Sequence, residues 1–125
     1  MIRHFFVLAG AAAMVASAPA AAHHSAAMFD FRNPVTTKGT VKMIEVINPH
    51  SHIVMAITDK KGTRDWTFEG HSASNFYRAG FNRGAVKPGD VIKITYAPMR
   101  DGTDGGYVVA FTTAKGDKVG FDPPG

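Results

Sequence analysis

The chain has 125 residues, 13 glycines, seven prolines, no cysteine and a formal charge of +4. Without thiols it holds neither a disulfide nor a Cys-based zinc or redox site, and this much glycine and proline argues for turns and short strands over long helices. The basic residues are scattered along a chain that reads as exported, so they are taken as solvated surface, and no nucleic-acid partner is expected.

The first segment reads as a secretory leader. Arg3 and His4 form a basic n-region, Phe5 to Ala16 is an apolar run, and Ala18-Pro19-Ala20 and Ala20-Ala21-Ala22 both fit an A-x-A cleavage pattern. The run is shorter than the ~20 residues a membrane span needs, and no later stretch approaches that length. The expected organisation is a cleaved signal peptide over residues 1–22 and one domain over residues 23–125, periplasmic or secreted, with no membrane span after cleavage.

Cleavage would bring His23 and His24 next to a new α-amino group. A cut after Ala20 puts His23 third, where amine, two amides and imidazole make a square-planar nitrogen set suited to Cu(II) or Ni(II). A cut after Ala22 puts His23 first, where its amine and ring chelate as a pair. Both cuts fit the sequence. Either chelate weakens at low pH, because each ligand nitrogen must lose its proton.

Downstream the pattern is nearly all β. Residues 26–34 form a lead-in with Met28, Phe29 and Phe31, expected to fold back onto the domain. A first strand runs from Val35 to Ile47, with an apolar phase shift after Gly39 that predicts a bulge or bend. Asn48-Pro49 ends it. His52 to Thr58 alternates as a second strand, Asp59-Lys60-Lys61-Gly62 is a hairpin turn, and Arg64 to Glu69 is a third strand. A short helix follows, capped by Ser72 or Ser74 and closed by Gly80. Val91 to Tyr96 and Tyr107 to Thr112 are strands four and five. The glycine-rich segment Arg100 to Gly106 between them reads as a mobile loop, and the tail from Asp117 as a surface extension carrying Phe121.

Three strands, a helix and two strands predict an all-β fold with a small α contribution, a five-stranded OB-like barrel with one short helix between strands 3 and 4. An open antiparallel sandwich is the alternative. In either, Ile53, Met55 and Ile57 share a face with Trp66 and Phe68, which leaves His50, His52, Glu69 and His71 on the other. The register implied by a Lys60-Lys61 turn sets His52 opposite Glu69 and His50 opposite His71, and a two-residue slip would keep the face but change these partners. Opposed Cβ atoms lie about 4.5–5.5 Å apart, close enough for shared metal ligands. A plain turn at His50 and a weak His52–Glu69 ion pair would account for the same residues without a metal.

His23-His24-Ser25, Met28-Phe29-Asp30, Gly39-Thr40-Val41, Asn48-Pro49-His50, Trp66, Glu69 and Lys87-Pro88-Gly89-Asp90 together resemble a family of small exported bacterial proteins known only as a domain of unknown function. The resemblance implies secretion and a compact β-rich domain. It brings no activity and no site residues. Val46 and Ala73 stand where similar sequences tend to have an aromatic residue and a proline.

Other chemistry is poorly represented. Neither glutamate is paired by spacing with a second carboxylate, there is no G-x-S-x-G elbow or phosphate-binding glycine loop, and Asp101 to Gly105 lacks the ligands of an EF-hand. The sequence therefore predicts a non-enzymatic metal-binding or metal-handling protein. Copper is the preferred metal, with His23, His24, His50, His52, His71 and Glu69 as the candidate donors. A copper oxidase would need the later cut and a further histidine against the terminus. The alternative is a binding or scaffolding module for a peptide, glycan or envelope partner, offering Trp66, Tyr77, Tyr96 or Tyr107 as contact surface.

Overall fold

The computed structural model describes residues 26–122. The expected leader, both candidate cleavage sites, His23 and His24 lie outside the described residues. Six strands and one helix follow in the order β1 (Val35–Glu45), β2 (His52–Asp59), β3 (Gly62–Glu69), α1 (Ala73–Arg78), β4 (Val91–Pro98), β5 (Gly106–Thr112) and β6 (Lys118–Gly120). No described helix is long and apolar enough to cross a membrane.

The strands form one sheet in the order β3-β2-β1-β4-β5-β6, and a further pairing of β3 with β5 joins five of them into a ring. Neighbours are antiparallel except at that seam, where Phe68 and Glu69 run parallel to Gly106 and Tyr107. Strand β1 serves two partners. Its first half pairs with β4, from Val35 opposite Tyr96 to Thr40 opposite Val91, and its second half pairs with β2. The register shifts between Val41 and Met43, so the expected bulge is present at Lys42. Gly39 sits just before it, where a Cβ would lie 2.5 Å from Ile57 Cδ1. Only a residue without a side chain lets β1 cross so close to β2.

The hairpin turn is two residues long, with Asp59 paired to Gly62 and Gly62 at φ +109°. Ser72 caps α1, its hydroxyl accepting from the Asn75 N–H, and Gly80 at φ +94° follows its end. The helix plugs the ring through Phe76, which is fully buried against Phe81, Phe111 and Phe121. Ile53, Met55, Ile57, Phe68, Ile92 and Ile94 fill the interior, so the shared apolar face of the second hairpin is as the alternation predicts.

Four expectations are corrected. There are six strands, because the tail pairs with β5 as β6 and buries Val119, with Phe121 packed on the core instead of lying along the surface. The first strand ends at Glu45, where the chain turns into a segment with a cis Asn48–Pro49 peptide. Tyr96 and Tyr107 are buried and offer no contact surface. The Arg100–Gly106 loop is tied down: the Arg64 guanidinium donates to Asp104 at 2.8 and 3.1 Å and to Asp59 at 2.9 Å through two nitrogens, while Arg100 donates to the Ala27 carbonyl.

Arg64 pulls the Asp59 carboxyl down from its ordinary 3.8 to about 2, and it lowers that of Asp104 as well. A depressed folded-state pKa contributes stability that is whole above the unfolded value and is lost as pH falls through the folded one. The urea midpoint should therefore drop between pH 4 and pH 2 more steeply in the wild type than in Arg64→Gln. Parallel pH profiles would refute this coupling.

Candidate functional site

The predicted strand histidines lie where β2 enters the ring, beside the β3–β5 seam. Ser51 is the pivot. It is fully buried, and its hydroxyl accepts from the Ile47 N–H at 3.2 Å and lies 3.3 Å from the Ile47 carbonyl, closing the turn that carries His50. Its N–H donates to the His71 carbonyl and its own carbonyl accepts from Gly70 N–H. These bonds hold His50, His52, Glu69 and His71 within one patch.

His52 pairs with Glu69 in the β2–β3 register, as the turn length predicts. On its other side it pairs with Glu45 of β1, so an imidazole stands between two carboxylate-bearing positions in one row. His50 does not pair with His71. The ladder stops at His52, Ser51 takes the His71 carbonyl, and His50 turns toward Glu69, with Nδ1 3.5 Å from Oε1. That separation brings the ring nitrogen and the carboxylate close together without hydrogen-bond geometry. Nδ1 itself is buried and has no hydrogen-bond partner, which leaves a ring nitrogen desolvated beside a carboxylate.

His71 is stacked on Phe121, ring centroids 5.1 Å apart, and meets the Tyr107 ring edge-on at 5.2 Å. Burial pushes its pKa below the ordinary histidine value, opposed by a bond to the Asp122 backbone and reinforced by the charge of His50. Burial thus favours the neutral imidazole, the form that binds metal ions. Burial, and then the Glu69 charge, push Tyr107 up to about 12, so this phenol stays protonated.

Among the described residues no group of three or more His, Asp or Glu side chains is disposed to hold a metal ion. His50 with Glu69 is a two-donor fragment, His52 stands across from Glu69 in the adjacent register, and His71 is approached through its rings. Glu45 and Tyr107 are the members that sequence reasoning missed. Glu45 joins because the bulge at Lys42 resets the phase of β1, and Tyr107 because β5 closes on β3. A cleft of about 300 Å³ lined by Asn82, Thr113, Asp117 and Lys118 includes none of the histidines.

A family model described as a family of unknown function, DUF6152, matches residues 12–108. The chain belongs to this family. The DUF6152 match includes His23, His24, His50, His52, Glu69 and His71 and stops one residue after Tyr107, so β6 lies beyond it. The resemblance to an uncharacterised family is met at that level. No curated protein matches the chain.

Proposed function

We propose that this DUF6152 protein is a small exported metal-handling protein that takes up copper in the periplasm, with His50 of the turn before β2 and Glu69 of β3 as the domain's donors, His52 and His71 beside them, and His23 and His24 completing the set. The ring of five strands then serves as an OB-like barrel, its order β1-β2-β3-β5-β4 closed by the parallel seam with α1 between β3 and β4.

One observation carries the reading: the lead-in is anchored next to the histidine patch. Phe29 and Phe31 each pack on Tyr107 at 5.4 Å, and the same tyrosine ring meets His71 at 5.2 Å. Four residues lie between His24 and Phe29, so the terminal histidines are close in sequence to the ring that packs on Tyr107. The desolvated His50 Nδ1 fits a donor awaiting a cation. Neutral imidazole and amine nitrogens favour Cu(II) over the other divalent first-row ions. The bound ion is cargo, and no reaction is assigned to it.

The test begins with N-terminal sequencing of the exported protein, followed by Cu(II) titration of the wild type, His23→Ala and His50→Ala. Both variants should bind about tenfold or more weakly, an effect of the size seen when a metal site loses a supporting group, and wild-type affinity should fall as pH is lowered, because protons compete for the ligand nitrogens. Unchanged affinity in both variants removes the metal reading. Loss in His23→Ala alone leaves a terminal chelate with no domain donor, which overturns the shared site.

A further inference from the structure

Three lysines far apart in the chain come into one line on the outer face of the sheet. Lys38 of β1 pairs with Lys93 of β4, Lys93 with Thr112 of β5, and Thr112 with Lys118 of β6. Paired residues project to the same side of a sheet, and the alternation fixes which side this is. Ile92, Ile94, Phe111 and Val119 point inward and are buried, while Lys38, Lys93 and Lys118 are exposed. Three strand spacings make the row about 14 Å long.

This arrangement works against folding. Like charges set directly across a strand pair destabilise it, and Lys38 faces Lys93 in that way. Among the described residues no ion pair involves any of the three lysines. The carboxylates nearest in sequence, Asp90 and Asp117, sit in the flanking turns, and that of Asp90 accepts from the Lys87 N–H. Beside the charges runs a second row, Thr36, Thr95, Ala110 and Gly120. Its side chains are short, and the Thr36 and Thr95 hydroxyls bond each other at 2.7 Å. A line of cations thus borders a low, neutral shelf.

We infer that this face binds a linear acidic polysaccharide, whose carboxylate or sulfate groups meet Lys38, Lys93 and Lys118 while its sugar rings lie along the threonine shelf. Charge complementarity selects a polyanion, and the linear arrangement selects a chain with repeating charge. Neither row carries an aromatic side chain, so there is no platform for stacking the bases of a single-stranded nucleic acid. Val91 and, past the bulge, Met43 are exposed apolar residues on this side of the sheet, and neither supplies the aromatic and leucine surface that seats a protein in a lipid interface. The inference uses none of the histidines and is independent of the metal reading.

The test uses the whole protein with heparin and a polyuronate as probes, and with anionic phosphatidylglycerol vesicles and an oligothymidylate as competing surfaces. The variant Lys38→Gln/Lys93→Gln/Lys118→Gln is compared with the charge-matched Lys60→Gln/Lys61→Gln/Arg78→Gln, each checked for the wild-type circular dichroism spectrum. The wild type should bind both polysaccharides more weakly as salt rises. The row variant should lose about tenfold or more in affinity while the matched variant changes by less than about threefold, since exposed charges act over no more than a Debye length. Equal losses in the two variants would make net charge the cause and overturn the inference. So would a wild type that ignores both polysaccharides, or a row that prefers vesicles or the oligonucleotide. If the triple variant misfolds, Lys93→Gln against Lys61→Gln gives the same comparison.

Discussion

Gly106→Ala destabilises the domain by about 3 kcal/mol or more, the upper end of what overpacking costs, and for a folded unit of this size lowers Tm by roughly 12 °C or more. Gly106 pairs with Pro98 of β4 on one side and Phe68 of β3 on the other, next to Tyr107, which bridges the same two strands. A Cβ there would collide with the Ala97 carbonyl oxygen and lie 2.6 Å from Tyr96 Cδ2. The carbonyl belongs to the sheet backbone and cannot rotate away, and the tyrosine is buried in the core. Relief would therefore require β5 to move off β4, which would pull the seam with β3 apart. Gly120→Ala in β6 is the control, because its Cβ would meet only Ala110 Cβ at 4.0 Å. Thermal melts followed by circular dichroism should separate the two, and a Gly106→Ala melt within a few degrees of the wild type would show that the seam tolerates a side chain.

Phe76→Ala should cost about 3–5 kcal/mol, the range for emptying a buried phenylalanine site. Its ring is fully buried and touches Phe81 at 5.6 Å, Phe111 at 6.0 Å and Phe121 at 4.7 Å. The helix is only six residues long, too short to persist without tertiary packing. Gly70 also leans on it, since a Cβ at that position would lie 3.1 Å from the Phe76 ring. Removal of the ring should therefore reach the histidine patch through Gly70 and through Phe121, on which His71 stacks. Hydrogen exchange should accelerate over residues 73–81 and at the amides around His71. Urea denaturation showing a loss under about 1 kcal/mol, well below that range, would mean that the site collapses around the gap.

The elements that sequence reasoning found are those whose information is local. The alternation of Ile53, Met55 and Ile57, the two-residue turn at Lys60-Lys61 and the Trp66–Phe68 face specify a hairpin among near neighbours, and the His52–Glu69 pairing follows from the turn length alone. The cap is likewise narrowed locally to Ser72 or Ser74, and the fold uses Ser72. What escaped is set by distant partners. The β6 segment has three residues and one apolar side chain, too few to show a period, and becomes a strand only because β5 offers it an edge. Glu45 enters the His52 row because one residue bulges out at Lys42, and a single slip of that kind exchanges the faces of a strand. The Arg64 bonds that hold the Arg100–Gly106 loop span 40 positions, so glycine content suggested freedom where geometry gives restraint. The lysine row joins positions 38, 93 and 118 and has no signature within any window of the chain.

The double allegiance of β1 has a consequence for how the domain comes apart. Its leading half belongs to the β4 side and its trailing half to the β2 side, so neither the first hairpin with its helix nor the later strands make a self-sufficient piece. Loss of one side strips β1 from the other, and denaturation should be a single all-or-none event with no surviving half. A protease nick in the Arg83–Lys87 stretch should accordingly yield two fragments that remain associated until both are released together.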